Sequence, residues 1–470
     1  MVAVLRSLFT IIVSMGGLAL CLIILSLALP SSPFRSSLHG YLLGADSWRN
    51  PGYLVTNLSE LQTAHQDEIF KEHLSESSKV PGDSEVVSAD RTVDPNGVDI
   101  SLPASNNTPA VDQRSCNLYH GKWVYDPSGL LYTNNTCPII TQTQNCQGNG
   151  RPDKEYERWR WKPEECDLPY FDARKFLELM KGKTLAFVGD SVARNQMESL
   201  VCILWQVEAP KNRGNRRMQK WYFRSTSTSI IRIWSSWLVR RTSDPLHFAP
   251  EGIDKVHLDV PDETFMEFLP NFDVVVLSSG HWFAKKSAYI LNGSIVGGQL
   301  WWPKKAGKMQ INNIKAFGVS VETCLTAIAN HPKFTGLAIV RSYSPDHYEG
   351  GAWNTGGSCT GKDRPATELL RNGFTDTMYK KQVTGFRRAV KKLGGGSRLR
   401  FMDITKPFGY RHDGHPGPYR SPDPNKVTRR GPKGEPPPQD CLHWCMPGPI
   451  DTWNEFLLEI IRREYEGAGS

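Results

Sequence analysis

Nine cysteines fall between positions 116 and 445, at 116, 137, 146, 166, 202, 324, 359, 441 and 445. Nine is an odd number, so pairing among them leaves one unpaired or in an intermolecular bond, and the spacing alone does not choose the partners. Disulfides at this density persist in an oxidising lumen or outside the cell and are rare in the reducing cytosol. A large part of the chain can be tied by such bonds.

The amino-terminal end agrees with that compartment. Residues 8–29 carry no charged side chain across 22 positions and would span about 33 Å as a helix, enough for one bilayer crossing. A secretory peptide has a shorter apolar centre, and although Ser26, Leu27 and Ala28 offer a small-x-small cleavage pattern, the length favours an uncleaved anchor. The expected order is a short cytosolic tail (1–7), a transmembrane signal anchor (8–29), a flexible lumenal stem (30–115) and a folded body (116–470). The stem is rich in Ser, Asn and Pro, and residues 60–115 hold 11 acidic against 4 basic side chains. The rest of the chain must then carry +15 for the total to be +8, a basic body that suits an acidic glycan or a membrane surface. Nucleic acid is excluded as a partner by the compartment. Asn57, Asn106, Asn134 and Asn292 each begin an Asn-x-Ser/Thr glycosylation pattern.

Within the body, hydrophobic segments alternate between strand and helix character. TLAFV (184–188) reads as a buried strand, and VARNQMESLVCILW after it as a helix. SIIRIWSSW (229–237), DVVVLSS (273–279), GLAIVRSY (336–343) and RLRFMDI (398–404) are further strand candidates, with helices near 312–330 and 366–392. This order predicts an α/β fold of three layers around a central, mostly parallel sheet. The aromatic residues Trp123, Trp159, Trp161 and Tyr170 are expected to pack in the core or its loops rather than stack on sugars. The Pro- and Gly-rich run after Gly409 reads as a long surface loop, and a terminal helix begins near Asp451 or Thr452, with Thr452 and Glu455 as a reciprocal cap.

The chemistry concentrates at two points. Gly189, Asp190 and Ser191 follow the TLAFV strand directly, where a serine can occupy the crevice beyond the strand's carboxyl end. A triplet of this kind is also a common polar turn capping a helix. Asp440 and His443, in DCLHWC, supply the partners a nucleophilic serine needs: Asp440 orients the imidazole, and His443 takes and returns the serine proton. Backbone amides around Gly189, Ser191 and Gly280 are candidate oxyanion donors. Asp190, Arg194, His281 and Trp282 are candidates for positioning substrate, with Arg194 equally able to pair with an acid on its own helix. The C-x-H-x-C run of Cys441, His443 and Cys445 has zinc-binding residue types but no evident fourth ligand, and is read as a disulfide-held loop with no metal.

Taken together, GDSVARNQMESLVC, SSGHWF and DCLHWCMPGPIDTWNEF resemble the serine block, middle block and terminal Asp/His block of the plant trichome-birefringence-like family of cell-wall polysaccharide O-acetyltransferases, over Cys116 to Tyr465. The resemblance implies a modified Gly-Asp-Ser hydrolase-like fold with disulfide-stabilised loops, an N-terminal membrane helix, and a type II orientation in the Golgi membrane with the catalytic body in the lumen. It places the family's Ser, His and Asp on Ser191, His443 and Asp440. It also implies that Cys202 is bridged and Cys324 is the odd thiol, so that Cys116, Cys137, Cys146, Cys166, Cys202, Cys359, Cys441 and Cys445 pair; read locally, Cys202 is equally a buried helix residue. The implied reaction is acetyl transfer to a wall-polysaccharide hydroxyl through an acetyl-serine. The loop DGHPGPYRSPDP resembles the xyloglucan-acetylating branch more than the xylan-acetylating one. An acetyl donor is required, acetyl-CoA or an acetylated intermediate, along with a protein to supply it; no GxxxxGK phosphate loop is present and no tightly bound cofactor is expected. The other readings are a polysaccharide acetyl esterase using the same three residues and a noncatalytic glycan-binding scaffold.

Overall fold

The computed structural model describes residues 116–466, apart from 128, 216–217, 245–248, 250–251, 304–306, 393–397 and 423–438. Residues 1–115, with the 8–29 segment, the stem, Asn57 and Asn106, lie outside that range. Among the described residues no helix is long and apolar enough to cross a membrane.

The body opens with two paired strands, β1 (Gly121–Tyr125) and β2 (Trp159–Pro163), which run antiparallel. A seven-stranded sheet follows, built from β3 (Thr184–Gly189), β4 (Lys211–Asn212), β5 (Met218–Phe223), β6 (Thr228–Trp234), β9 (Val274–Ser278), β12 (Leu337–Arg341) and β13 (Arg398–Met402). Its order is β13-β12-β9-β3-β6-β5-β4. The five strands from β13 to β6 are parallel, and β5 and β4 extend the sheet antiparallel. The helices are α1 (Ala173–Leu179), α2 (Ser191–Trp205), α3 (Asn313–Ala329), α4 (Gly373–Val390) and α5 (Asp451–Glu466).

Period-two alternation along the parallel strands sorts the core into two layers. Leu185, Phe187, Val274, Val276, Leu337 and Ile339 face one side, where Met197 and Leu200 of α2 and Trp453, Phe456 and Leu457 of α5 cover them. Ala186, Val188, Val275, Leu277, Ala338 and Val340 face the other, against Phe317, Val321 and Leu325 of α3 and Met378 and Ala389 of α4. A second, four-stranded sheet extends this layer: β7 (Val239–Thr242), β8 (Asp254–Pro261), β10 (Ser287–Leu291) and β11 (Ser294–Gln299), in the order β11-β10-β8-β7. The sequence reading missed this sheet because its strands are short and joined by turns. Asn292 and Gly293, both at positive φ, turn β10 back into β11 as a two-residue hairpin. Asn292 is exposed there and Asn134 is half-buried.

Four disulfides tie the body: Cys116–Cys166, Cys137–Cys202, Cys146–Cys445 and Cys359–Cys441, leaving Cys324 as a buried thiol on α3. Trp161 is buried, Trp123 packs edge-on against Trp161 and Phe408, and Tyr170 lies beneath the Arg160 guanidinium.

Two expectations are corrected. The segment after Gly409 is not a surface loop in its described part. The fully buried Arg411 and Asp413 form an ion pair at 2.8 Å, Arg411 also donates to the Tyr156 carbonyl, and His415 is buried. Arg151, stacked on Tyr156, donates to the carbonyls of Asp413 and His415, so the polar backbone of this segment is satisfied from inside the protein. The helix α5 starts at Asp451, which accepts hydrogen bonds from the Gly448 amide, the Tyr132 hydroxyl and the Ser199 hydroxyl. Glu455 points inward toward Arg160, 4.0 Å away, instead of back to a Thr452 cap.

Glu455 is buried with Oε2 lacking any hydrogen-bond partner. Burial pushes its carboxyl up to about 8, against the pull of Arg160. Because the folded pKa lies above the unfolded value of about 4.3, the neutral form's contribution to stability is complete below that value and is lost as pH rises toward 8. Glu455→Gln, neutral at every pH, should leave the thermal midpoint little changed at pH 5. At pH 8.5 it should raise the midpoint by a few degrees, at roughly 1–2 °C per kcal/mol for a body of this length. Equal midpoints of mutant and wild type at both pH values in thermal unfolding would contradict this account.

Candidate active site

The strand order places β3 between β9 and β6, with the chain leaving β3 toward one neighbour and returning later to the other. Crevices form at the carboxyl ends of strands at such a reversal. β3 ends on Gly189, which admits no side chain because a Cβ would stand 2.1 Å from the Ser278 carbonyl of β9. Asp190 then caps α2, its Oδ1 accepting from the Val192 amide at 2.9 Å. The Arg194 amide closes onto the Asp190 carbonyl. The amides of Ser191 and Ala193 therefore have no acceptor within the helix and sit at its positive end. Ser191, the first residue of α2, stands partly exposed at the mouth of the crevice.

The terminal block forms a compact hook. Asp440 pairs through its backbone with Gly417, and its carboxylate accepts from the amides of Leu442 and His443. The same carboxylate accepts from His443 Nδ1, at 2.9 Å to Oδ2. Burial works to raise the Asp440 carboxyl, but the charge and hydrogen bonds of His443 outweigh it and hold the group well below the usual carboxylate range. A carboxylate only accepts, so the proton of a neutral His443 lies on Nδ1 and the lone pair on Nε2. Nε2 is buried and has no hydrogen-bond partner.

What joins the hook to the serine turn is Asn195. It lies one helical turn after Ser191 and hence on the same face of α2. Its side-chain amide accepts from the Trp444 amide at 2.8 Å and donates to the Trp444 carbonyl at 3.2 Å. The residue after His443 is thus clamped to the helix that begins at Ser191. Arg341, at the end of β12, donates to the Val192 carbonyl and to Gln196, and its guanidinium lies 4.4 Å over Trp453. Burial pushes Arg341 down to about 10.

The middle block enters from β9. Gly280, at φ 132°, allows the chain to pass Tyr343, whose ring a Cβ would meet at 2.7 Å. His281 stacks on that ring, lies 3.7 Å from Asp190 through Nδ1, and holds the Ser344 carbonyl through Nε2 at 3.0 Å. Ser344 Oγ in turn accepts from the indole of Trp444. Asp190 is thus nearly fully buried and faces His281 and Arg341; burial would raise its carboxyl, but those two groups lower it. It is a structural cap, not a surface that substrate reaches. Arg194 turns along its own helix to Glu198, at 3.8 Å. Trp282 follows His281 and packs edge-on against Trp234 and Trp237.

A histidine chain backs the hook. His415 Nδ1 is 2.7 Å from the His443 carbonyl, which can only accept, so that nitrogen is the donor. Its Nε2 must then accept from His347 Nδ1, also at 2.7 Å. Burial pushes His415 down to about 4 and His347 well below its ordinary value, which keeps both neutral and the chain of donors oriented. His415 stacks on Trp444 at 4.2 Å. Cys441 and Cys445 are spent in disulfides, so neither is available as a thiolate to a metal beside His443; among the described residues no group of His, Cys, Asp and Glu is arranged to hold a metal ion.

Sequence reasoning missed Asn195, Arg341, Ser344, His347 and His415. Asn195 carried a readable signal, a polar residue one turn from the serine and hence on the same face of the helix. The others did not, since their partners lie 28 to 149 residues away.

The family description "GDSL/SGNH-like Acyl-Esterase family found in Pmr5 and Cas1p" matches residues 168–460, and "PMR5 N terminal Domain" matches residues 114–167. This is an acyl-esterase class of enzyme built on a Gly-Asp-Ser turn. Among curated proteins of Arabidopsis thaliana, the chain is 57% identical to Protein YLS7, over 99% of this chain and 95% of that protein. It is 64% identical to Protein trichome birefringence-like 18, over 79% and 70%, and 37% identical to Xyloglucan O-acetyltransferase 1, over 75% and 82%. The chain belongs to the trichome-birefringence-like family of plant polysaccharide O-acetyltransferases.

Removing the clamp should unseat the hook without touching a reacting atom. Asn195→Ala leaves the buried Trp444 amide and carbonyl unpaired, at about 1–3 kcal/mol per lost partner. We expect a lower thermal midpoint and an acetyl-transfer kcat reduced at least roughly tenfold, since small displacements of a reacting group carry penalties of that order or larger. Wild-type kcat in a folded Asn195→Ala protein would contradict the clamp.

Proposed function

We propose that this protein transfers acetyl groups from an acetyl donor to hydroxyls of a plant cell-wall polysaccharide, xyloglucan in the first instance, through an acetyl ester on Ser191. The observation that carries this reading is the unpartnered, buried Nε2 of His443, oriented by Asp440 and tethered through Trp444 and Asn195 to the helix that starts at Ser191. Relatives named as xyloglucan O-acetyltransferases, at 37% and 36% identity, support the choice of acceptor.

In the first half-reaction Ser191 Oγ attacks the acetyl carbonyl of the donor as His443 Nε2 takes its proton. Collapse of the tetrahedral intermediate expels the donor's leaving group, which receives that proton. In the second half a glycan hydroxyl gives its proton to Nε2 and attacks the acetyl-serine carbonyl. Collapse returns the electron pair and the proton to Ser191 Oγ and leaves the acetyl ester on the glycan. Asp440 stabilises the imidazolium formed in each half. The amides of Ser191 and Ala193 at the positive end of α2 are oriented toward the developing oxyanion, with the backbone at Gly280 beside them. Asp190 and His281 position the turn, and water must be kept out for transfer to prevail over hydrolysis.

The same reading places the body in the Golgi lumen behind a single type II anchor at residues 8–29. Four disulfides and two Asn-x-Ser/Thr patterns in the described body support an oxidising, glycosylating compartment. A fluorescent fusion should co-migrate with Golgi membranes and resist protease until detergent is added.

The test of the chemistry is incubation of the purified body with isotopically labelled acetyl-CoA or a small acetyl ester, with xyloglucan and xylan oligosaccharides as acceptors. Acetylated xyloglucan is expected by mass spectrometry, and a labelled Ser191 peptide when the acceptor is withheld. Ser191→Ala should abolish the labelled peptide and His443→Ala should lower transfer by about 10³ or more. Deacetylation of a pre-acetylated glycan without transfer would replace this reading with an esterase, and glycan binding with neither product would replace it with a scaffold.

A further inference from the structure

Two tryptophans in contact with each other lie beside the serine turn. Trp234 closes β6 and lies in register beside Gly189. Trp282 follows His281, the residue that faces Asp190. Their ring centres are 5.6 Å apart with planes at 85°, so the two indoles stand as perpendicular walls. Trp237 braces Trp282 at 6.4 Å and is itself packed on Phe283 at 4.7 Å inside the core. The corner is therefore held by buried structure, yet Trp234 remains 37% exposed. Trp234 thus keeps part of its indole open to solvent at the carboxyl end of β6. Large rigid aromatics with few rotatable bonds are efficient binding surfaces, because little freedom is lost on contact.

The surface continues from this corner. The 3₁₀ turn His281–Ala284 carries Trp282 at one end and delivers Lys285 at the other, the Lys285 amide donating to the Trp282 carbonyl. The Lys285 ammonium sits 4.0 Å over the ring of Trp353, which is 45% exposed. An exposed cation on an exposed indole holds that ring in place and still has protons to donate.

We propose that Trp234 and Trp282 form the subsite that seats the acceptor sugar receiving the acetyl group, and that Trp353 with Lys285 carries the same glycan chain further along. The ligand is a neutral β-1,4-linked pyranose chain. Its equatorial hydroxyls leave flat C–H faces for the indole walls and direct the hydroxyls sideways, toward Ser191 and His443. The two walls are themselves uncharged indoles, which suit the C–H face of a neutral sugar. This inference rests on the acceptor class proposed above and adds the residues that bind it.

Binding to the Ser191→Ala protein tests the subsite without any turnover. Isothermal titration with cellohexaose should give saturable binding, weakened roughly tenfold by Trp234→Ala, as expected for loss of an aromatic contact of about 1.4 kcal/mol, and restored in large part by Trp234→Phe. Trp353→Ala should weaken cellohexaose more than cellotriose, because the longer chain has more sugars left to contact the second platform. Trp234→Ala and Trp234→Phe are compared as folded proteins, each with a single cooperative thermal transition, so that lost affinity in the Ala variant and its return in the Phe variant report the ring and not unfolding. Absence of cellohexaose binding, an unchanged affinity in Trp234→Ala, or tighter binding of hexagalacturonate than of cellohexaose would each overturn the proposal. A protein that binds cellohexaose through Trp234 but transfers no acetyl group would instead overturn the transferase reading and leave the subsite standing.

Discussion

His443 sits midway between two disulfides. Cys441, two residues before it, is bonded to Cys359, and Cys445, two residues after it, is bonded to Cys146. The rest of the site depends on this double pinning, because the hook from Asp440 to Met446 has almost no regular secondary structure to hold it. Its backbone groups are satisfied one at a time, by Gly417, by the Asp440 carboxylate, by Asn195 and by Gly414. Each of those bonds contributes little alone, and the cross-links remove much of the freedom that the hook would otherwise have to lose in making them. The position of the imidazole is thereby tied to bonds that persist under oxidising conditions and are lost under reducing ones.

Burial then sets the protonation pattern. The carboxyls that face a basic partner, Asp190 and Asp440, are lowered, while Glu455, with a weaker and more distant counter-ion, is raised. His415 and His347 are kept neutral, and their hydrogen bonds admit a single orientation that begins at the His443 carbonyl. The proton positions around His443 are consequently decided by acceptors that cannot donate, the Asp440 carboxylate on one side and a backbone carbonyl on the other. A general base needs one free lone pair, and this arrangement leaves it on Nε2.

Much of the layered fold was legible because the strands are continuous apolar runs and the helices have clear caps. The TLAFV strand, the DVVVL strand and the helix over Asn313–Ala329 could be read within a residue or two of their observed ends. The four-stranded sheet escaped, since β7 and β11 are short and mix Gly and charged residues with apolar ones. The segment after Gly409 was misread for a related reason. Its Pro and Gly content excludes a regular helix, but it is buried, with Arg151 reaching from far away in the chain to its carbonyls and its own Arg411 pairing with Asp413.

The one-dimensional order of residues determined the chemical types available: a serine on a strand-to-helix turn, an Asp and a His three apart, and nine cysteines from position 116 onward. Those are local facts, set by backbone stereochemistry at Gly189 and by side-chain pKa and nucleophilicity. Only the tertiary structure decided which cysteines pair, that Asn195 is the tether, that Asp190 serves the helix and His281 and not the crevice, and that two indoles stand beside the serine. Each of these is a contact between residues far apart in the chain, and its partner is chosen by which strands neighbour β3, a choice made by burial of the whole sheet and not by any local pattern.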